Sequence, residues 1–523
     1  MRKSGILAHP TSFPSKYGIG DLGKGAYEFV DFLEKSGQKL WQILPLGQTS
    51  FGDSPYQSFS AFAGNIYIIS PDILVKKGYL SKKDIEVVPE FDEKNVEYGK
   101  VINYKMSLFR KAFKNFKEDK KYLGFCEKNA FWLDDYSLFM SLKNYFIEQR
   151  KNTYESAEYK AYYSANEKKV KLNAIKDCFY GGAWNSFPDD IRDKKPKAVE
   201  KYTKLLKTEI DFYKFLQYEF FTQWQELKEY ANEKEIEIIG DIPIFVAEDS
   251  ADVWSNRNLF SLDTKGFPKV VAGVPPDYFS ADGQLWGNPL YDWDYLEATD
   301  YEWWFERIKA ASKLYDITRI DHFRAFASYY SIPYPAENAI NGEWVEGPRI
   351  KFFNMMEEAL GKIDIVAEDL GTLTPDVTEL MEQTGYPGMK VLEFAFDSGE
   401  ENDYLPHKYT ENCVVYTGTH DNDTVMGWLE TAKPEDVNYA RSYCQMPDDE
   451  PFNWGLIRVA YESKADTAIV PMQDILGLGK EARMNIPSTL GGNWVWRLDG
   501  AALTDELADK LKTMSEKSGR LED

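Results

Sequence analysis

The chain has 523 residues, 43% of them apolar, and a formal net charge of −23 at neutral pH. This length allows a large buried core, and the acidic charge argues against nucleic acid or an anionic membrane surface as a partner, because either would repel the protein. Four cysteines without a CxxC pair predict neither a disulfide framework nor a thiolate zinc site. With no signal-peptide pattern and no run of about 18 apolar residues, we expect a soluble, cytoplasmic protein.

Eight short runs rich in β-branched residues recur along the chain. They span residues 4–9, 39–46, 236–246, 317–323, 363–371, 389–396, 413–421 and 468–476. Helical patterns lie between several of them, and the one at 374–385 opens with Thr and Pro and closes with Gly. This alternation predicts an α/β protein with a (β/α)8 barrel.

The spacing of the predicted strands is uneven, and the longest interval separates the second from the third. Apolar residues in that interval recur at steps of three and four, as in Ile102, Met106, Phe109 and Phe113, which is typical of amphipathic helices. We therefore expect one domain, 1–523, with a helical insertion subdomain at 76–235 and a loop subdomain at 247–300 over the barrel mouth. The residues after the last predicted strand are too few for a C-terminal β-sandwich of roughly 100 residues.

Active sites of such barrels form at the C-terminal ends of the strands. The polar residues at the predicted ends are Asp241, Arg319, Asp321, Glu368, Asp369, His420 and Asp421. Arg319 and Asp321 are two apart on one strand and share a face, so we expect the arginine to lower the pKa of Asp321 and keep it ionised. The alternative is that Arg319 and Asp321 form an ion pair with only a structural role. Neighbouring carboxylates and an apolar wall are expected to raise the pKa of Glu368.

Carboxylates and histidines around one mouth allow two chemistries. A metal-dependent hydrolase would use His and Asp as ligands, but it usually needs an HxH pair on an early strand, where only His9 occurs. Glycoside bond cleavage would use one carboxylate as nucleophile and another as acid. Segments 54–62 and 275–293 set aromatic residues among Gly, Pro and Asp in predicted loops, which suits the faces of sugar rings. The sequence contains no GxxxxGK motif, so nothing indicates a nucleotide. We expect neither a metal nor a cofactor.

Several motifs together give a family resemblance over nearly the whole chain. In order they are SGILAHPTSFPSKYGIGDLG, LPLGQTSFGDSPYQSFSAFAGN, GDIPIFVAEDSADVW, GVPPDYFSADGQLWGNPLYDW, RIDHFR, VAEDLG, TGTHDN and GNWVWR. The chain thereby resembles the amylomaltases, also called 4-α-glucanotransferases or disproportionating enzymes, of glycoside hydrolase family 77. The resemblance implies transfer of an α-1,4-glucan segment (from maltodextrin, starch or glycogen) to another glucan or to glucose, with retention of configuration.

The resemblance also implies roles for individual residues. Asp321 would be the nucleophile, Glu368 the general acid and then base, and Asp421 the carboxylate that binds sugar hydroxyls. Arg319 would orient the nucleophile. Further substrate contacts would come from His322, His420, Tyr56, Asp241, Gln284, Trp286 and Asn485, and from the mobile covering loop with Asp277, Tyr278 and Phe279.

Three other functions remain open from the sequence. An α-amylase-like hydrolase could use the same acids, and only its products would differ. A glucan-binding protein with an inactive barrel would not need the carboxylates. A metal-dependent hydrolase would lose its activity in a chelator.

Overall fold

The computed structural model describes residues 2–155, 182–276, 280–371, 373–489 and 491–521. Its strands are β1 Lys3–Leu7, β2 Leu40–Gln42, β3 Glu237–Pro243, β4 Val270–Val274, β5 Gln284–Pro289, β6 Ile317–Asp321, β7 Ser328–Pro333, β8 Glu343–Glu346, β9 Ile365–Ala367, β10 Gly388–Val391, β11 Cys413–Tyr416 and β12 Thr467–Pro471.

The helices follow the same chain order. They are α1 Lys24–Lys35, α2 Pro71–Lys76, α3 Tyr98–Asn115, α4 Lys120–Lys128, α5 Ala130–Glu155, α6 Asp189–Arg192, α7 Pro196–Leu205, α8 Lys207–Glu233, α9 Ala251–Ser255, α10 Trp293–Ala298, α11 Glu302–Leu314, α12 Arg349–Leu360, α13 Pro375–Thr384, α14 Val425–Thr431, α15 Pro434–Tyr443, α16 Phe452–Glu462, α17 Met472–Ile475 and α18 Asp505–Lys517.

Eight of the strands form one parallel sheet in the order β10-β11-β12-β1-β2-β3-β6-β9. Its two outer strands, β9 and β10, approach each other. The Ala367 N–H of β9 donates at 3.0 Å to the carbonyl of Pro387, the residue directly before β10. The sheet therefore nearly closes into a barrel. Each of the eight predicted runs overlaps one barrel strand, and the predicted (β/α)8 fold is confirmed.

Large apolar side chains join the barrel strands to the surrounding helices. Trp41 on β2 is fully buried, with its ring centroid 5.7 Å from that of Phe29 on α1 and 6.1 Å from that of Trp224 on α8. Burial of such large aromatic surfaces is the main stabilising term for these contacts. Packing against the helices thus holds the strands in place. The strand ends can therefore carry polar groups that do not add to the core.

In the described residues, the long interval between β2 and β3 is mostly helical, as the spacing of its apolar residues predicts. Phe113 on α3 contacts Phe212 and Phe215 on α8, with ring centroids 5.5 and 5.6 Å apart. These aromatic pairs hold the inserted helices against the helix that precedes β3. The division of the domain at 76–235 and 247–300 stays a prediction. No helix in the described ranges combines the length and the apolar character needed to cross a membrane.

A second, antiparallel sheet in the order β5-β4-β7-β8 was not predicted. Its strands β4 and β5 lie within 247–300, which the sequence suggests is loop. They pair with each other, and β4 also pairs with β7, which follows the fourth barrel strand. Gly273 allows this pairing, because a Cβ there would lie 2.2 Å from the carbonyl oxygen of Gln284. The sheet stands beside the barrel mouth and carries Gln284 and Trp286.

Candidate active site

A buried ion pair and its partners form the floor of the barrel mouth. Asp241 on β3 pairs in register with Arg319 on β6. Arg319 Nη1 lies 2.5 Å from Asp241 Oδ2, and its Nη2 lies 3.0 Å from Asp321 Oδ1. One arginine therefore connects the carboxylates of two neighbouring strands, as charge-assisted hydrogen bonds favour.

Asp321 and Glu368 lie side by side at the ends of neighbouring strands. Ile320 on β6 pairs with Ala367 on β9, and each carboxylate residue comes directly after its member of this pair. The Glu368 N–H donates to the Ile320 carbonyl at 3.0 Å, which continues the ladder. Because paired residues of parallel strands point to the same side, both carboxyl groups face the mouth.

The backbone after Asp321 holds the Glu368 carboxyl group. His322 has a left-handed φ of 53°, which is uncommon for a residue other than glycine. In this conformation its N–H donates to Glu368 Oε2 at 2.6 Å, while the Leu370 N–H donates to Oε1 at 2.8 Å. The strained turn therefore fixes the position of the second carboxylate relative to the first.

The electrostatics of this pair differ from the sequence expectation. Burial raises the pKa of Asp321, and the negative charges of Asp241, Glu368 and Asp421 add to this rise, whereas Arg319 opposes it. The expectation of a lowered pKa at Asp321 is therefore wrong, because burial and the neighbouring carboxylates together outweigh the effect of Arg319. Burial also raises the pKa of Glu368, as expected. Arg319 opposes the rise at both carboxyl groups, and its direct contact with Asp321 favours the charge on that side chain.

Asp421 approaches the mouth from the segment after β11. Its Oδ1 accepts a hydrogen bond from Asn485 Nδ2 at 2.6 Å, and its Oδ2 lies 3.4 Å from His420 Nε2. The Asp421 carbonyl accepts from Arg483 Nη2 at 2.8 Å. Burial lowers the pKa of His420, so its imidazole is neutral at neutral pH. Asp421 itself is exposed and open to a ligand.

Tyr56 links the two halves of this cluster. Its hydroxyl donates to Asp241 Oδ2 at 2.8 Å. Its ring stacks on the imidazole of His420, with centroids 5.1 Å apart, and also contacts Trp494 at 5.7 Å. The loop that follows β2 therefore joins the floor of the mouth to the Asp421 side.

The antiparallel sheet supplies the opposite wall. Trp286 Nε1 donates to Gln284 Oε1 at 3.1 Å, and the Trp286 ring packs edge-on against the imidazole of His322, with centroids 4.7 Å apart. Burial lowers the pKa of His322 to about 3, and its Nε2 has no partner among the described residues. This imidazole is therefore neutral and able to bind a hydroxyl.

The structure brings together most of the residues that the sequence selects. Asp277, Tyr278 and Phe279 lie outside the described residues. Asp369, another residue at a predicted strand end, has a structural part, because its Oδ1 accepts from the Met389 N–H at 2.7 Å and so joins β9 to β10. Within the described ranges no three or more His, Cys, Asp or Glu residues are arranged to hold a metal ion.

Sequence reasoning missed two buried carboxyl groups behind Asp421. Asp474 Oδ2 accepts from Thr417 Oγ1 at 2.6 Å and its Oδ1 accepts from the Val425 N–H at 2.8 Å, so it holds both ends of the segment that carries His420 and Asp421. Glu393, soon after β10, packs against Gly418 of the same segment. The rule that selected Glu368, a carboxylate shortly after a barrel strand, would have selected both.

Comparisons with known proteins agree with this geometry. The family described as 4-alpha-glucanotransferase, glycoside hydrolase family 77, matches residues 8–174 and 146–504. A 4-alpha-glucanotransferase of Clostridium butyricum is 51% identical over 98% of this chain and 100% of its own, and one of Thermus thermophilus is 43% identical over 99% of each. The amylomaltase of Streptococcus agalactiae, solved in complex with acarbose, is 39% identical over 100% of both chains, with a TM-score of 0.91. The chain belongs to the 4-alpha-glucanotransferase family, glycoside hydrolase family 77.

Proposed function

We propose that this enzyme transfers a segment of an α-1,4-glucan to the 4-hydroxyl of a second glucan or of glucose, in two displacements that together retain the configuration. The observation that carries the proposal is the side-by-side position of Asp321 and Glu368 at the ends of β6 and β9. A retaining pair of carboxyl groups is separated by about 5 to 5.5 Å, whereas an inverting pair leaves a wider gap for water.

In the first displacement Glu368 gives its proton to the bridging oxygen as the glycosidic bond breaks. A carboxylate oxygen of Asp321 forms a bond to the anomeric carbon, and the released glucan leaves with its new 4-hydroxyl. The positive charge that develops on the sugar ring is stabilised by the acidic mouth, including Asp421. Arg319 fixes the position of the nucleophile and favours its ionised form.

In the second displacement the 4-hydroxyl of the acceptor attacks the anomeric carbon. Glu368, now ionised, takes the hydroxyl proton while the bond to Asp321 breaks. One α-1,4 bond is lost and one is formed, so the reaction is nearly neutral in free energy and needs no cofactor or metal. The roles of Tyr56, Asp241, His322 and His420 in binding sugar hydroxyls are part of this proposal.

Transfer requires the covalent intermediate to meet a sugar before it meets water. The family resemblance assigns this exclusion to the loop with Asp277, Tyr278 and Phe279, while Gln284, Trp286 and Asn485 would line the sugar subsites. The acarbose complex of the Streptococcus agalactiae amylomaltase supports an α-glucan in this cleft. Maltodextrin, glycogen or starch in the cytoplasm is the setting we propose, and the free buried thiols Cys413 and Cys444 suit a reducing compartment.

The product profile from maltotriose tests this function. A transferase converts maltotriose into glucose and maltodextrins longer than the substrate, whereas an α-amylase-like hydrolase yields only shorter sugars. Chromatography of a time course separates these outcomes. The absence of any product longer than maltotriose would contradict transfer.

A further inference from the structure

A cavity of about 420 Å³ lies outside the barrel, between helices α4, α8 and α11 and the segments that follow β2 and β3. This volume suits a small ligand of monosaccharide size. Tyr56 and Asp241, which also belong to the candidate active site, are among its lining residues. The proposed glucan transfer does not use this cavity.

Aromatic side chains form much of the cavity wall. The Phe62 ring is stacked on Trp132 with centroids 6.4 Å apart, and Trp132 and Phe125 contact Phe221 at 5.8 and 5.6 Å. Phe131, at the opening, is 53% exposed. Flat apolar surfaces of this kind bind the faces of sugar rings through their C–H groups.

The opening of the cavity carries positive charge in a protein whose net charge is −23. Lys121, Lys128 and Lys313 line it, and none of them forms an ion pair within the part of the chain that the structure describes. Burial and the charges of Lys128 and Lys309 lower the pKa of Lys313. The lysines therefore repel one another, and a bound anion would relieve this repulsion.

A buried arginine adds a fourth cation to the wall. Arg307 is 2% exposed and donates from Nη1 to the Ile244 carbonyl at 3.0 Å and from Nη2 to the Pro243 carbonyl at 2.5 Å. Its Nε has no hydrogen-bond partner among the described residues. A buried donor without a partner is costly, and the guanidinium adds positive charge to the wall of the cavity.

Glu306 raises the pKa of Lys313 and so offsets part of the positive charge, but the acidic residues of the wall also have ion-pair partners of their own. Glu306 forms an ion pair with Lys309 at 2.8 Å, and Asp241 forms one with Arg319 at 2.5 Å. Both are thus already paired. The cavity combines an aromatic surface with unpaired cations, and neither a neutral glucan nor a bare anion uses both features.

We propose that this cavity binds a phosphorylated sugar, with the phosphate at Lys128 and Lys313 and the sugar ring on the aromatic wall. Phosphate offers several strong acceptor oxygens, and lysine binds it as a point charge. This site goes beyond the proposed transfer reaction, which involves no phosphate.

Calorimetric titration of the full chain tests the proposal. The probes are glucose 6-phosphate, inorganic phosphate and glucose, each in the presence of excess acarbose so that sugar binding in the active site is suppressed. We expect one glucose 6-phosphate per chain, bound more tightly than either of the other two probes and more weakly as the salt concentration rises. Equal affinity for glucose would indicate a neutral sugar site, and equal affinity for inorganic phosphate would indicate a simple anion site. Either of these results, or the absence of any binding, overturns the proposal.

Matched variants locate the binding in this cavity. Lys128→Gln with Lys313→Gln is expected to weaken glucose 6-phosphate about tenfold or more, because two charge-assisted contacts are lost. The pair Lys128→Arg with Lys313→Arg keeps the charges and should bind almost as the parent does. Lys82→Gln with Lys83→Gln changes the net charge equally at exposed residues outside the cavity. Unchanged affinity in the first pair, or an equal loss in the last, contradicts the assignment, and neither result bears on the transferase activity.

Discussion

Asp241 and Arg319 form a salt bridge, 2.5 Å long, in which both side chains are almost completely shielded from solvent. The two residues pair in register on neighbouring barrel strands, so the backbone itself brings the charges together. Removing one partner of such a pair leaves the other charge buried without compensation, which costs far more than the pair contributes to stability.

We therefore expect Asp241→Asn to reduce both stability and catalysis. Arg319 would retain only its ion pair with Asp321, so the free energy of unfolding, measured by urea denaturation, should fall by about 2 kcal/mol. Arg319 would also move toward Asp321 and disturb this proposed nucleophile, so kcat/KM should fall. Glu400→Gln, at an exposed side chain, is the control with the same change of charge. A stability of Asp241→Asn equal to that of the control would contradict this part of the account.

The pH dependence of kcat/KM should show two limbs. The proposed mechanism requires Asp321 ionised and Glu368 protonated, so activity should be lost as the pH falls through the pKa of Asp321 or rises through the pKa of Glu368. Arg319 lowers both of these pKa values against the effect of burial. Removing its charge with Arg319→Gln should raise both, and both limbs should then move to higher pH.

Arg319→Lys keeps the positive charge and is the matched control for this shift. Its limbs should stay close to those of the parent even if its maximum rate is lower. Limbs of Arg319→Gln that stay in place or move to lower pH would show that Arg319 does not set the charge state of the two carboxyl groups.

The barrel and its catalytic end could be predicted from the sequence because both depend on local patterns. The barrel strands lie in short runs rich in β-branched residues, and β6 and β9 carry a carboxylate at the strand end or directly after it. Asp321 and Glu368 were found in this way. The register that sets them side by side could not be read from the runs, because it depends on hydrogen bonds between segments far apart in the chain.

The second sheet was missed because its strands lack a strong pattern. The strands β4 and β5 contain Gly273 and Gly287 and end near prolines. The partner of β4, strand β7, comes only after β6 in the chain. The pKa of Asp321 was misjudged for a related reason. The sequence shows the nearby Arg319, but the burial and the opposing carboxylates that outweigh it appear only in the folded chain.

Asp474 should act as a positioning residue for Asp421. Asp474→Ala removes the acceptor that holds both ends of the segment 417–425, so we expect kcat to fall by roughly tenfold, the size expected for two lost hydrogen bonds. Asp474→Asn keeps one acceptor oxygen and should be less impaired. The control is Asp466→Ala, at an exposed residue directly before the start of β12. An equal loss of kcat in this control would indicate a general effect on folding.

Trp286 should contribute to sugar binding through its ring. It contacts His322, which directly follows the proposed nucleophile Asp321. Trp286→Ala is therefore expected to raise KM for maltotriose about tenfold, the effect of losing one aromatic contact of about 1.4 kcal/mol. Tyr295→Ala, at an aromatic ring that is 39% exposed on α10, is the control. Initial rates over a range of maltotriose concentrations give KM for both variants. An unchanged KM in Trp286→Ala would show that this residue does not contribute to sugar binding.

The covalent intermediate on Asp321 is the central claim, and mass spectrometry of a trapped enzyme tests it most directly. A maltosyl fluoride needs no proton on its leaving group, so Glu368→Gln should still form the intermediate but should transfer it slowly, because the base for the acceptor is lost. We predict an added maltosyl mass on the peptide that contains Asp321, and none when Asp321→Asn is also present. A maltosyl mass on another carboxylate, or inversion of configuration with no adduct at all, would contradict the account.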